Sequence, residues 1–150
     1  MLEMRFKIIT PFLFFVIICI PIFAQEETRF WKILENIEYE IGYDEYGEIY
    51  IPKFDTEITS LDGKEIVLPG YIIPFQGLFK PKEIIISALP IVSCFFCGSG
   101  GPETVAKAYL VDNVDYTAKK VIVTGLLYLN KKDPEELMYI LKNAKIKKYE

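Results

Sequence analysis

Apolar residues recur along this chain at three different spacings, and each change of spacing predicts a change of structure. The first is a continuous run from Ile8 to Ile20, broken only by Thr10 and Pro11. Next, Thr28 stands as an N-cap before Phe30, Leu34 and Ile37, with Trp31 beside them, which is the spacing of one helical face and predicts a short helix near 29–37. Beyond it Tyr39, Ile41 and Tyr43 alternate with Glu40 and Gly42. The alternation resumes at Ile49 and Ile51 after Asp44-Glu45-Tyr46-Gly47, so two extended segments joined by a turn are expected.

From there strand-like runs dominate. Leu61-Asp62-Gly63-Lys64 is a turn whose Asp-Gly pair tolerates positive φ, and it leads into an apolar, β-branched run from Glu65 to Phe75 that contains Pro69-Gly70. A kink or bulge is expected at that pair. Further runs follow at 83–89, 105–111, 121–129 (with Gly125 in its middle) and 138–149. Five strands separated by turn residues predict a mainly β chain closing into a small five-stranded barrel, with the short helix at its N-terminal side. Asp133-Pro134-Glu135-Glu136 has the N-cap, N1 proline and acidic first turn of a helix start. Since the alternation takes over after it, a single helical turn at 134–136 followed by strand is the expectation.

The first run changes the picture of where the chain goes. Arg5 and Lys7 precede it, and Ile22-Phe23-Ala24 lies just before the polar Gln25-Glu26-Glu27, the three parts of a cleavable secretory signal. A spanning helix needs about 20 apolar residues, more than this proline-interrupted stretch supplies. Residues 1–24 are therefore read as a signal peptide and 25–150 as one β-barrel domain, exported to the periplasm or cell envelope and without stable membrane insertion after cleavage. Cys19 could suggest lipid attachment, but Val16-Ile17-Ile18 lacks the small residue such processing needs before the cysteine.

The charge left after cleavage excludes some partners. Of 17 basic and 21 acidic residues, Arg5, Lys7 and Glu3 leave with the leader, so 15 and 20 remain and the formal charge is −5. An acidic surface lacks the basic footprint that nucleic-acid binding requires, and anionic lipid is disfavoured for the same reason. Histidine is absent throughout, which removes the usual general base, and no Ser/His/Asp, Cys/His or phosphate-cradling pattern occurs. A non-enzymatic role follows. Acidic pairs such as Glu26-Glu27 and Glu135-Glu136 read as solvated ends or helix-start charges. Ten tyrosines and eleven phenylalanines hint at a stacking face, but their alternation within strands favours core and cross-strand packing.

The remaining chemistry is concentrated in Ser93-Cys94-Phe95-Phe96-Cys97-Gly98-Ser99-Gly100-Gly101-Pro102-Glu103-Thr104, a glycine-rich loop between two predicted strands. Three readings compete there. Thiolates two residues apart supply half of many zinc sites, and with no histidine the other ligands would be carboxylates such as Glu103 or Asp112, water, or groups from a partner. Alternatively, the thiols form an inert disulfide, a staple worth only about 2 kcal/mol for so short a ring. A redox dithiol is the third reading, but Gly-Ser-Gly-Gly-Pro cannot continue the helix that usually acidifies a leading cysteine.

Taken with the Trp31-x-x-Leu34 opening, the segment Leu61-Asp62-Gly63-Lys64-Glu65-Ile66-Val67-Leu68-Pro69-Gly70-Tyr71-Ile72-Ile73-Pro74 and the strand around Val123-Thr124-Gly125, this loop resembles that of a bacterial family of exported proteins of unknown function. The resemblance covers nearly all of the chain after the leader. It implies a small OB-type barrel, and it hints at a metal link because such proteins often accompany exporter-like or metal-uptake genes. The family's loop carries Cys-x-His, a proline run and Asn-Gln. Only Cys94 carries over directly, since Cys97 lies one position beyond the expected histidine, Pro102 replaces the run, and Glu103-Thr104 stands where Asn-Gln would fall.

The sequence is therefore read as an exported, OB-like barrel that binds a transition metal, zinc foremost, through Cys94, Cys97 and more weakly Glu103, or hands it to an envelope partner or metal transporter. The alternatives are a thiol-disulfide protein of the envelope and a structural adaptor with a Cys94–Cys97 disulfide.

Overall fold

The computed structural model describes residues 29–74, 82–131, 133 and 135–148. The expected leader, Thr28 and the end of the 65–75 run lie outside the described residues. No described helix is long and apolar enough to cross a membrane.

Helix α1, Arg29–Leu34, is shorter than the apolar spacing suggests. The last α-type bond runs from Glu35 N–H to Trp31 O (2.8 Å), and Asn36 N–H closes on Ile33 O instead. The chain then turns out into β1, Glu38–Asp44, which pairs antiparallel with β2, Gly47–Lys53, across a turn with Gly47 at φ 131°. This hairpin is a two-stranded sheet of its own. A one-turn helix α2, Thr56–Thr59, follows, capped by Asp55, whose carboxylate accepts a hydrogen bond from Ile58 N–H at 2.7 Å.

The five runs expected to close a barrel do so: β3 Glu65–Ile73, β4 Glu83–Ser87, β5 Val105–Leu110, β6 Val121–Leu129 and β7 Tyr139–Lys148. The order is β3-β4-β5-β7-β6, closed by β6 on β3. All pairs are antiparallel except β5 with β7. A five-stranded Greek-key barrel of this kind is an OB-like fold. The turn before β3 forms as its Asp-Gly pair predicts, with Gly63 at φ 76° and Asp62 accepting a hydrogen bond from Leu129 N–H at 3.1 Å.

Alternation decides which side chains fill the barrel. On β3 and β6, Ile66, Leu68, Val121, Val123 and Leu127 are essentially sealed from solvent. Each such side chain contributes about 1.5–3 kcal/mol by leaving water. α1 sets Trp31 and Leu34 against this core, and the Trp31 indole N–H donates to Pro69 O at 2.8 Å. Opposite it, Tyr139 is fully buried and its hydroxyl donates to Leu34 O at 2.7 Å. The helix is thus held to β3 and β7 by one polar bond each.

Two local expectations are corrected, a bulge at Pro69-Gly70 and the placing of most aromatics in the core. β3 has no register shift at Pro69-Gly70; it changes partner there, from β6 through Gly70 to β4 from Tyr71. The irregularities fall instead on β7, which has an extra residue between Leu141 and Ala144 opposite Ala108 and Leu110 of β5, and between Lys142 and Lys145 opposite Leu126 and Thr124 of β6; Asn143 there takes φ 52°. At 133–136, where Pro134 lies outside the described residues, a single turn closes from Glu136 N–H to Asp133 O at 3.3 Å. Asn130 organises the segment as a turn, donating to Asp133 O (2.7 Å) and Glu136 O (3.1 Å). Finally, Tyr43, Tyr46, Tyr50, Tyr109, Tyr116 and Tyr128 are exposed while Tyr139 is buried. Alternation identifies a face of a strand, but an unpartnered hairpin and the outside of a barrel leave that face in water.

Candidate functional site

The cysteines lie on the connection from β4 to β5, which crosses one end of the barrel. Two short 3₁₀ turns, Ile91–Ser93 and Pro102–Thr104, frame it. Ala88 N–H bonds Thr104 O (2.9 Å) and Gly100 N–H bonds Ser93 O (3.0 Å), so both ends of the loop are stapled. Between them Cys94 O accepts from Cys97 N–H (3.2 Å) and Gly98 N–H (2.7 Å), making Cys94–Gly98 a tight turn. Gly98 has no room for a side chain: a Cβ would sit 2.6 Å from Ser93 Cα and from Val92 O. The glycine after the second cysteine is therefore required by packing.

Within this turn the two thiols differ. Cys94 is fully buried and Cys97 is exposed, and both are free thiols. Although it is at the surface, Cys97 is pushed above the ordinary thiol range, by desolvation first and then by the charge and the hydrogen bond of Cys94. Phe95 and Phe96 between them stack edge to face at 5.1 Å, with Phe95, Ile91 and Val92 forming an exposed apolar rim.

Glu103, the third ligand candidate, is engaged elsewhere. Its carboxylate folds over Gly101 and accepts a 2.9 Å hydrogen bond from the Tyr39 hydroxyl. Glu35, at the end of α1, shares this neighbourhood; burial, then the Glu103 charge, raise its carboxyl above the usual range. Asp112 follows the far end of β5, about 17 Å of strand from the cysteine loop. Among the described residues no group of three or more Cys, Asp or Glu side chains is gathered where it could hold a metal. The cysteines are brought together and neither carboxylate candidate completes a closed site with them.

The Tyr39, Glu35 and Glu103 cluster was missed by sequence reasoning. Tyr39 is one tyrosine among ten, 64 positions from Glu103, and no local pattern links them.

Donor chemistry tests the metal reading. Two thiolates suit soft and borderline cations, and zinc in a structural site takes four ligands. The turn supplies half of that set and leaves the rest to water or another molecule. The redox reading fares worse: the accessible thiol is the trailing one, its proton is held more tightly than usual, and no helix starts behind either cysteine.

No family model and no curated protein matches the chain. Among solved structures it is similar to a DUF3299 family protein from Pseudomonas aeruginosa PAO1, with 20% identity and a TM-score of 0.45 over 61% of this chain. The chain spans 64% of that protein, which belongs to a domain-of-unknown-function family.

Proposed function

We propose that this OB-like barrel is an exported, non-enzymatic binding protein whose Cys94–Cys97 turn takes up a transition metal, zinc foremost, as an open two-thiolate site completed by a partner to which the ion is passed. The observation that carries the reading is the pair of free cysteines held on one turn by backbone bonds, Cys94 O accepting from Cys97 N–H and from Gly98 N–H. The turn keeps the two cysteines close along the chain, and Cys94, sealed from solvent, has to open for both sulfurs to meet one ion. The shortage of further donors among the described residues favours transfer over permanent storage, because an incomplete ligand set leaves positions for a recipient.

The test is titration of reduced protein with zinc under anaerobic conditions, against a chromophoric chelator. Uptake should require both cysteines and weaken as pH falls, since protons compete for the thiolates. Cobalt offered in place of zinc should give thiolate charge-transfer absorption that Cys97→Ser removes. Absence of uptake by reduced protein would eliminate the reading.

One observation favours a second reading. The Cys97 N–H to Cys94 O bond closes a four-residue turn, which holds the Cα atoms within about 7 Å, overlapping the range a disulfide spans. A chain isolated with no free thiol and no zinc uptake after reduction would assign the pair to a structural disulfide.

A further inference from the structure

The charges of this chain are segregated in a way its net charge conceals. Residues 38–53 carry five carboxylates (Glu38, Glu40, Asp44, Glu45, Glu48) against one lysine, a net −4, whereas residues 139–148 carry four lysines and no acid, a net +4. The first segment is the β1–β2 hairpin and the second is β7, in the wall of the barrel.

Register turns these totals into matching surfaces. On one face of the hairpin Glu38 and Glu40 lie along β1 opposite Lys53 and Ile51, and Gly42 opposite Ile49. Gly42 lets the isoleucines lie flat, since a Cβ there would meet Ile51 Cδ1 at 2.7 Å. Ile49 and Ile51 stay 36% and 42% exposed. On the outside of the barrel Lys147, Lys145 and Lys142 lie along β7 opposite Ile122, Thr124 and Leu126 of β6. One surface is therefore two carboxylates beside two isoleucines, with Lys53 closing its end opposite Glu38, and the other a line of lysines beside Ile122, Thr124 and Leu126, in which Lys142 also lies 4.0 Å over the Tyr128 ring. Glu38 and Glu40 match Lys145 and Lys147 in the two-residue repeat of a strand, about 6.6 Å. Among the described residues none of Glu38, Glu40, Lys145 or Lys147 is in an ion pair.

We propose that the chain self-associates, the Glu38/Glu40/Ile49/Ile51 face of each hairpin seating on the Lys142/Lys145/Lys147 and Leu126 face of a second copy, reciprocally about a two-fold axis. Charge complementarity identifies the occupant: an acidic apolar ribbon needs a basic apolar surface, and the chain itself carries one. Two-fold closure makes the same hairpin-on-β7 contact twice and leaves no open end for a fibre. A seven-residue strand pair covers about 23 Å by 10 Å, so the two contacts bury roughly 900 Å² counted on both copies, the size of a reversible association. The dimer is accordingly weak, dependent on concentration and sensitive to salt.

Sedimentation velocity on the reduced protein over a concentration series tests this. A monomer–dimer equilibrium is expected, its dissociation constant rising about tenfold or more between low and high salt. Lys145→Glu/Lys147→Glu should weaken it similarly, as should Glu38→Lys/Glu40→Lys, with unchanged far-UV circular dichroism showing that both variants fold. The decisive sample is their mixture: both contacts regain opposite charge in the heterodimer, so association must return. A monomer at every concentration, a dimer indifferent to the reversals, or variants that stay apart when mixed would overturn the proposal. So would a monomer that instead co-sediments with phosphatidylcholine vesicles, which would make the hairpin a lipid contact.

Discussion

The Tyr39 hydroxyl donates a 2.9 Å hydrogen bond to the Glu103 carboxylate and so ties the exposed hairpin to the loop that follows the cysteines. A hydrogen bond to a charged group contributes about 1.5–3 kcal/mol when half-buried, and less as solvent competes. Tyr39→Phe and Glu103→Gln should each destabilise the fold modestly in chemical denaturation, and the double variant should cost less than the two separately. Full additivity would show that the bond carries no energy.

Because the same carboxylate raises Glu35, Glu103→Gln should let the Glu35 carboxyl titrate at lower pH, while burial keeps it above the usual range. Carbon-detected NMR titration of the side chain reads this directly. An unmoved Glu35 would mean the two carboxyls do not interact. Zinc uptake should not change in this variant, since Glu103 is committed to Tyr39.

Tyr139 predicts alkaline sensitivity. Burial first, then the charges of Tyr39, Glu103 and Asp55, raise its phenol above the ordinary value, so the folded chain keeps a proton that the unfolded chain releases near pH 10. The stabilisation is complete below that pH and is lost as pH climbs above it. Tyr139→Phe leaves Leu34 O without its 2.7 Å donor and should cost about 1–3 kcal/mol at neutral pH. The loss of stability between pH 9 and 11 should be shallower in the variant, as read by urea midpoints; an unchanged slope would place the titration elsewhere.

At Gly70 a Cβ would collide with the Ser87 carbonyl oxygen and lie 2.9 Å from Ile86 Cγ1. Here β3 leaves β6 and takes up β4, and the strands meet too closely for any side chain. Gly70→Ala should therefore cost about 1–3 kcal/mol through backbone displacement. Gly47→Ala, where nothing lies within 4 Å but φ is 131°, should act through backbone strain and affect only the hairpin.

The two cysteines should respond unequally to serine. Cys94 is sealed from solvent, so Cys94→Ser buries a hydroxyl at a cost of about 1–3 kcal/mol, whereas Cys97→Ser at the surface should leave the stability of reduced protein unchanged. Equal, large losses would indicate that the starting protein held a disulfide.

These residues also divide what is local from what is not. Period-two alternation in 65–73, 121–129 and 139–148 determines strands and which side chains face inward, because neighbouring residues on a pleat must point to opposite sides. Asp62-Gly63 likewise determines its turn through the freedom of glycine at positive φ, and Cys94-x-x-Cys97-Gly98 places two thiols on one turn whatever surrounds it. Alternation carries no information about which strand lies beside which. Only closure of the barrel set β7 parallel to β5, moved the irregularity from Pro69-Gly70 to Asn143, and left β1–β2 outside with its aromatics in water. Only tertiary packing could direct Glu103 to Tyr39 and bury one cysteine while exposing the other, since each depends on groups that meet across the fold and are far apart along the chain.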